Sequence, residues 1–226
     1  GIGRLSGLGY CQELIFRSRS DKNEKIKEII WDARRLKKIL QDNNEKRDLR
    51  FVIDEITTIN EFKDDSYPER FFQVVLNKPL RIKHDALLNS DKVIEYLSQV
   101  APVPFHPDFI FKDEILSEIR NVTSYSEVQI FVNQNEEPIF RPFRNEFKFK
   151  ESEKVEITEI DYFLIEGNNS EVSALCWVAH HNYPGAFSQN NEVRGLRCRS
   201  GNMQLGGEKI FSDVFPEERF NSWTIG

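Results

Sequence analysis

The residues whose types and spacing come closest to a chemical task stand at the amino end, Gly1-Ile2-Gly3-Arg4-Leu5-Ser6-Gly7-Leu8-Gly9-Tyr10-Cys11. Four glycines in nine positions leave a backbone bare enough to approach an anion closely. The Leu, Tyr and Cys residues that follow can start a helix whose amide ends face the same point, and Ser6 can add a hydroxyl. That chemistry is a phosphate cradle. The same run also fits a tag remnant or a frayed terminus, so the rest of the chain has to decide between these readings.

Other candidate groups point less clearly to a reaction. Cys11, Cys176 and Cys198 lie far apart without paired spacing, which suggests buried thiols and neither a disulfide framework nor a zinc site. His180 and His181 are neighbours, and on a strand they face opposite ways, a poor start for a shared metal. Glu217 and Glu218 are consecutive; on a helix they diverge by about 100° and do not converge on one substrate atom. Arg197 and Arg199 share one face of a strand, with Arg194 on the other unless Gly195 forms a bulge. They can contact a nucleic-acid backbone or a domain partner, or simply be solvated or paired with Glu192 and nearby acids.

Composition narrows the class. The 226 residues are 39% hydrophobic and 30% charged, which fits a soluble globular protein of one large or two ordinary domains. No apolar run is long enough to span a bilayer and no leader-like start is present, so a cytoplasmic location is expected. The net charge of -6 gives no overall pull toward a polyphosphate backbone and leaves only a local basic patch for such a role.

The elements that must position these groups follow from periodicity. Residues 13–18 and 25–31 read as strands joined by a hairpin turn at Ser20-Asp21-Lys22-Asn23. Residues 33–40 form a helix with Leu36, Ile39 and Leu40 inward and Arg34, Arg35, Lys37 and Lys38 around the other face. The β-branched run 49–59 predicts a strand, and uncharged 71–76 a central strand. Ser90 is an N-cap candidate for a helix through Val100. Pro102, Pro104 and Pro107 then mark a stiff connection, placing the domain boundary near residue 104. A helix over 112–120 places Ile115, Leu116 and Ile119 inward. Strands at 127–132 and 137–143 form a hairpin, and a longer hairpin joins 155–166 to 171–179, with helices covering at least one side. After a turn at Asn182-Tyr183-Pro184-Gly185, Phe211, Val214, Phe215, Phe220 and Trp223 recur at helix-like spacing.

Three segments together resemble the GHKL superfamily of ATPases, the group of gyrase, the heat-shock chaperone, histidine kinases and MutL. GIGRLSGLGYC resembles its glycine-rich lid. FFQVVL, the Ser90 helix and APVPF resemble the last strand and exit helix of the ninety-kilodalton chaperone class. RGLRCRSGNMQLG with RFNSW resembles bacterial chaperone-like ATP-binding proteins. The resemblance implies an α+β chain: residues 1–104 as the C-terminal part of a Bergerat-type nucleotide-binding α/β sandwich, and 105–226 as a β-α-β-rich middle or transducer domain. It implies ATP-driven domain closure, with ATP and magnesium bound by the intact parent and Gly1, Gly3, Arg4, Leu5, Ser6, Gly7 and Gly9 near phosphate. The family's water-orienting glutamate, magnesium-binding asparagine and adenine-reading aspartate and glycine all precede the lid. The chain therefore reads as an internal piece that binds ATP negligibly by itself. Its expected partners are the preceding half of the ATPase domain, a downstream C-terminal region, a second copy in a homodimer, and a protein client or nucleic acid. A different class remains open: a non-enzymatic protein- or nucleic-acid-interaction module.

Overall fold

A computed structural model describes residues 2–41, 48–81, 86–150, 153–168, 171–183 and 196–206. The protein is a mixed α+β chain with antiparallel sheets, and it divides into two compact units, Gly1–Asp85 and Ala86–Gly226. Gly1, Glu192, Arg194, Gly195 and the aromatic series from Phe211 to Trp223 lie outside the described residues.

In the first unit a 3₁₀ helix, Ile2–Gly9, runs directly into β1, Cys11–Arg19. This corrects the expectation of an open loop feeding a helix. A Cβ on Gly7 would stand 3.0 Å from Leu14 Cδ1, so the bare backbone is packed against β1. Tyr10 N–H and the Cys11 thiol both donate to Gly7 O, at 2.9 and 3.2 Å, closing the helix where the strand begins.

β1 turns through residues 20–25 into β2, Ile26–Asp32, as the alternation predicts. Helix α1, Ala33–Gln41, starts on an Asp32 cap whose carboxylate accepts from the Arg34 and Arg35 N–H groups, both at 3.0 Å. Leu36 and Ile39 are half-buried, but Leu40 is exposed although it lies only about 40° from Leu36 around the helix.

The run predicted as one strand over 49–59 is instead helix α2, Leu49–Ile56, followed by β3, Thr57–Phe62. Val52 and Ile56 lie four residues apart on one helical face, the half-buried and buried side, while Leu49, Phe51 and Ile53 are exposed. β4, Phe71–Pro79, completes a sheet of order β3-β2-β1-β4. It is an edge strand and not the predicted central one; the uncharged stretch 71–76 places Phe72, Val74 and Leu76 on one face and Gln73 on the other.

In the second unit α3, Ser90–Val100, is capped by Asn89, whose side chain accepts from Lys92 N–H at 3.2 Å. The cap thus falls one residue before Ser90. The proline-bearing segment that follows is extended, and it supplies the core of this unit. Ala101 and Val103 pack with Ile139, and Phe105 with Phe109, Ile115, Leu116 and Ile160. α4, Lys112–Val122, buries Ile115 and Leu116 and packs Ile119 beside them, as its spacing predicts.

Residues 127–132 and 137–143 form no strand ladder. Pro138 and Pro142 lack an N–H, and the neighbouring donors go elsewhere: Val128 N–H to Pro102 O and Arg141 N–H to Pro104 O, both 2.9 Å. One rung of the expected hairpin survives, Ile139 N–H to Ile130 O at 2.7 Å. β5, Glu146–Lys150, β6, Glu153–Glu166, and β7, Val172–His181, make an antiparallel sheet in that order, with the predicted long hairpin as its β6–β7 pair. Trp177 and Ala179 face the aromatic core and α4, while Phe163 and Val178 on the opposite face are exposed. A short hairpin of β8, Arg199–Ser200, and β9, Met203–Gln204, turns at Gly201-Asn202, both in the left-handed region.

Candidate functional site

The glycine segment sits at the start of β1, where Leu80 N–H from the end of β4 donates to Tyr10 O at 2.7 Å. Its glycines are not equivalent. Gly7 is bare because Leu14 fills the space, whereas nothing lies within 4 Å of where a Cβ on Gly9 would stand. Gly9 and Ser6 are exposed, Leu5 is half-buried, and Gly3 and Arg4 lie within the same helix. An eight-residue 3₁₀ helix is long for its type, whose hydrogen bonds are poorer than those of an α-helix. In this conformation its interior amides are turned to its own carbonyls, so an anion meets only the first turn unless the segment opens. Burial pushes the Cys11 thiol upward in pKa, with Lys37 pulling the other way.

The sheet behind this segment has two contrasting faces. On one, Asn60, Glu28, Arg17 and Gln73 form a row across all four strands. Arg17 Nε donates to Glu28 Oε2 at 2.6 Å, Asn60 Nδ2 to Glu28 Oε1 at 2.9 Å, and Arg17 Nη1 to Gln73 Oε1 at 3.3 Å. The Asn60 hydrogen bond, and then Arg17, hold the Glu28 carboxyl below its usual range. Next to this row, buried Arg19 donates to the carbonyls of Asp64, Tyr67 and Pro68 and ties down the turn over 63–70.

On the other face the adjacent row is wholly apolar: Ile59, Ile29, Phe16 and Val74. Ile59 is 72% exposed and Val74 45%. At the hairpin end of the same face, farthest from the glycine segment, a groove of about 620 Å3 is lined by Ser18, Lys25, Lys27, Arg70 and Phe72 among others.

In the second unit Arg197 and Arg199 do share a side, and their donors go to the end of α3. Arg197 Nη1 reaches Gln99 Oε1 at 3.3 Å and Gln204 Oε1 at 3.4 Å. Arg199 donates to Gln99 O, to Ala101 O at 3.3 Å and to Asn202 O at 2.6 Å. The Gln99 and Ala101 carbonyls have no partner within the helix, so the arginine closes the α3 C-terminus. Burial lowers the Arg199 guanidinium to about 10.

Sequence reasoning missed Arg141, which is only 2% exposed. Its Nε donates to Val103 O at 3.2 Å, its Nη2 to Tyr125 Oη at 3.0 Å, and its guanidinium lies 4.2 Å from the Phe105 ring centroid. Tyr125 in turn donates to Glu127 Oε1 at 3.1 Å, and burial pushes its phenol up to about 12. The available signal was an arginine between two prolines in Pro138-Ile139-Phe140-Arg141-Pro142, where backbone carbonyls need outside donors.

Among the described residues no group of three or more His, Cys, Asp or Glu side chains could hold a metal ion, and no helix is long and apolar enough to cross a membrane. No family model, curated protein or solved structure matches the chain.

Proposed function

We propose that the first unit is the sheet layer of a GHKL-type nucleotide-binding domain, with Ile2–Gly9 as its phosphate lid and the second unit as the transducer that conveys closure. The open row of Ile59, Ile29, Phe16 and Val74 carries this reading. A row of large apolar side chains across a whole sheet stabilises the fold only when another layer removes it from water. The remaining layer of the ATP-binding domain, from the preceding part of the parent polypeptide, is the expected cover.

The glycine segment fits the lid role in part. The bare backbone at Gly9 and the exposed Ser6 suit close approach to an oxyanion. It has no carboxylate or amide side chain for magnesium and nothing to read adenine, so those contacts belong to the covering layer. ATP with magnesium supplies the energy of switching, and the lid moves from a 3₁₀ helix to an open arrangement around the terminal phosphates. Nucleotide-dependent closure of two copies belongs to the same proposal, as does a protein client.

Titration calorimetry tests it. The present chain should show no ATP binding in the micromolar range, and the polypeptide extended through the complete domain should bind ATP. In that longer protein Gly9→Val should weaken ATP by at least about tenfold, as expected for loss of charge-assisted amide contacts. Micromolar binding by the present chain, or none by the longer one, contradicts the proposal.

A further inference from the structure

The groove at the hairpin end of the first sheet combines a ring, cations and a hydroxyl in one row. Lys27, Ser18 and Phe72 are consecutive partners across β2, β1 and β4. Phe72 is 67% exposed and is backed by Phe16, with ring centroids 6.1 Å apart and planes at 29°. Such a pair holds its outer ring flat and fixed.

The cations around it divide into spent and free. Lys22 pairs with Glu69 at 2.8 Å, Lys25 with Glu61 at 3.5 Å, and Arg19 is consumed by backbone carbonyls. Lys27 and Arg70 are exposed; Glu61 faces Lys27 across β2 and β3, but its ion pair is with Lys25, and no ion pair to Lys27 or Arg70 is found among the described residues. The one acid lining the groove, Glu24, accepts from the Ser20 hydroxyl. The groove lining thus holds more cations than acids, with Glu61 and Glu69 at its rim paired to Lys25 and Lys22.

We propose that this groove binds single-stranded nucleic acid, with a base stacked on Phe72 and the adjoining phosphates on Lys27 and Arg70. An exposed ring with flanking cations is how sequence-tolerant single-strand sites are built. An antiparallel sheet face is a suitable platform because its strands keep the ring and cations at fixed register. A peptide of acidic residues satisfies the cations alone and leaves the ring uncovered. The proposal does not rest on ATP binding: the groove lies at the opposite end of β1 from the glycine segment, and it is tested on the present chain, in which the face carrying Phe16 and Phe72 is uncovered.

The test is fluorescence anisotropy of a labelled oligo-dT with the present chain at low salt, with polyglutamate as competitor. Binding with a dissociation constant between about 1 and 100 µM is expected, and log affinity should fall with log salt at a slope of about −1.4 for two phosphates. Phe72→Ser should weaken binding at least about fivefold, and Lys27→Glu with Arg70→Glu should abolish the salt dependence. Should Phe72→Ser disturb the circular dichroism spectrum, Phe72→Tyr keeps the ring and must bind like the parent. No binding at about 100 µM protein, parent-like binding by the folded Phe72→Ser or charge-reversed chain, or polyglutamate displacing as well as unlabelled oligo-dT would each overturn the proposal.

Discussion

The two units use arginine in opposite ways. In the first, Arg17 meets a carboxylate across a regular strand ladder, with Asn60 and Gln73 completing the row. In the second, Arg141 is buried and Arg199 half-buried; among the described residues neither has an ion pair, and they donate instead to backbone carbonyls and a phenol, with Arg141 against an aromatic face. The difference follows from the backbone. Where ladders are continuous the main chain satisfies itself, and side chains are left to pair with each other. Where prolines interrupt the ladder, carbonyls are stranded and a multidentate donor must reach them.

The contrast makes its largest prediction at Arg141. Arg141→Ala leaves Val103 O and Tyr125 Oη without a donor beside an aromatic cavity, and should destabilise the chain by about 3 kcal/mol in urea unfolding. A loss below about 1 kcal/mol would mean that water replaces the guanidinium and the contrast fails. Arg19→Met is the intermediate case, a carbonyl-binding arginine inside the regular unit. It should cost about 2 kcal/mol and expose the turn over 63–70 to proteolysis, while the β1–β2 ladder keeps its exchange protection.

Glu28→Gln should cost about 1 kcal/mol at pH 7, since its partner Arg17 remains hydrogen-bonded but loses a counter-charge. Its sign with pH is fixed. The Glu28 carboxyl is held below its ordinary value of 4.5, so its stabilisation is complete above that pH and is lost as pH falls through the lowered value. The Gln variant should lack that part of the acid slope, and an unchanged slope in acid denaturation would remove Glu28 from the row's energetics. Smallest is the pair of glycines. Gly7→Ala places a methyl 3.0 Å from Leu14 Cδ1 and should cost about 1 kcal/mol, whereas Gly9→Ala should change the melting midpoint little or raise it. Equal losses at both would show that Gly9 is bare for packing reasons after all.

The fold was legible wherever composition or period was unbroken. β1, β2 and the β6–β7 hairpin are runs rich in β-branched and aromatic residues bounded by turn residues, and α4 holds Ile115, Leu116 and Ile119 on one side. Leu49–Ile56 was misread because Val52 and Ile53 favour strands locally, while the Val52 to Ile56 spacing and the Arg35 to Glu55 ion pair fit a helix. The missing ladder in 127–143 could be foreseen from Pro138 and Pro142, but not that Pro102 O and Pro104 O would take the free donors, which depends on contacts distant in sequence. The glycine segment was recognisable by composition. Its helical state was not, because the Gly7 contact with Leu14 is made only once β1 has formed. The prolines flanking Arg141 signalled a need for outside donors, but not its partners Val103 O and Tyr125 Oη, which lie elsewhere in the chain.

Hydrogen exchange on the polypeptide carrying the complete nucleotide-binding domain, with and without ATP and magnesium, reaches the central claim most directly. ATP should slow exchange of amides in residues 2–9, while strands carrying Ile59, Ile29, Phe16 and Val74 are protected in both states by the covering layer. Unchanged exchange across residues 2–9 at saturating ATP, with ATP demonstrably bound, would contradict the assignment of this segment as a phosphate lid.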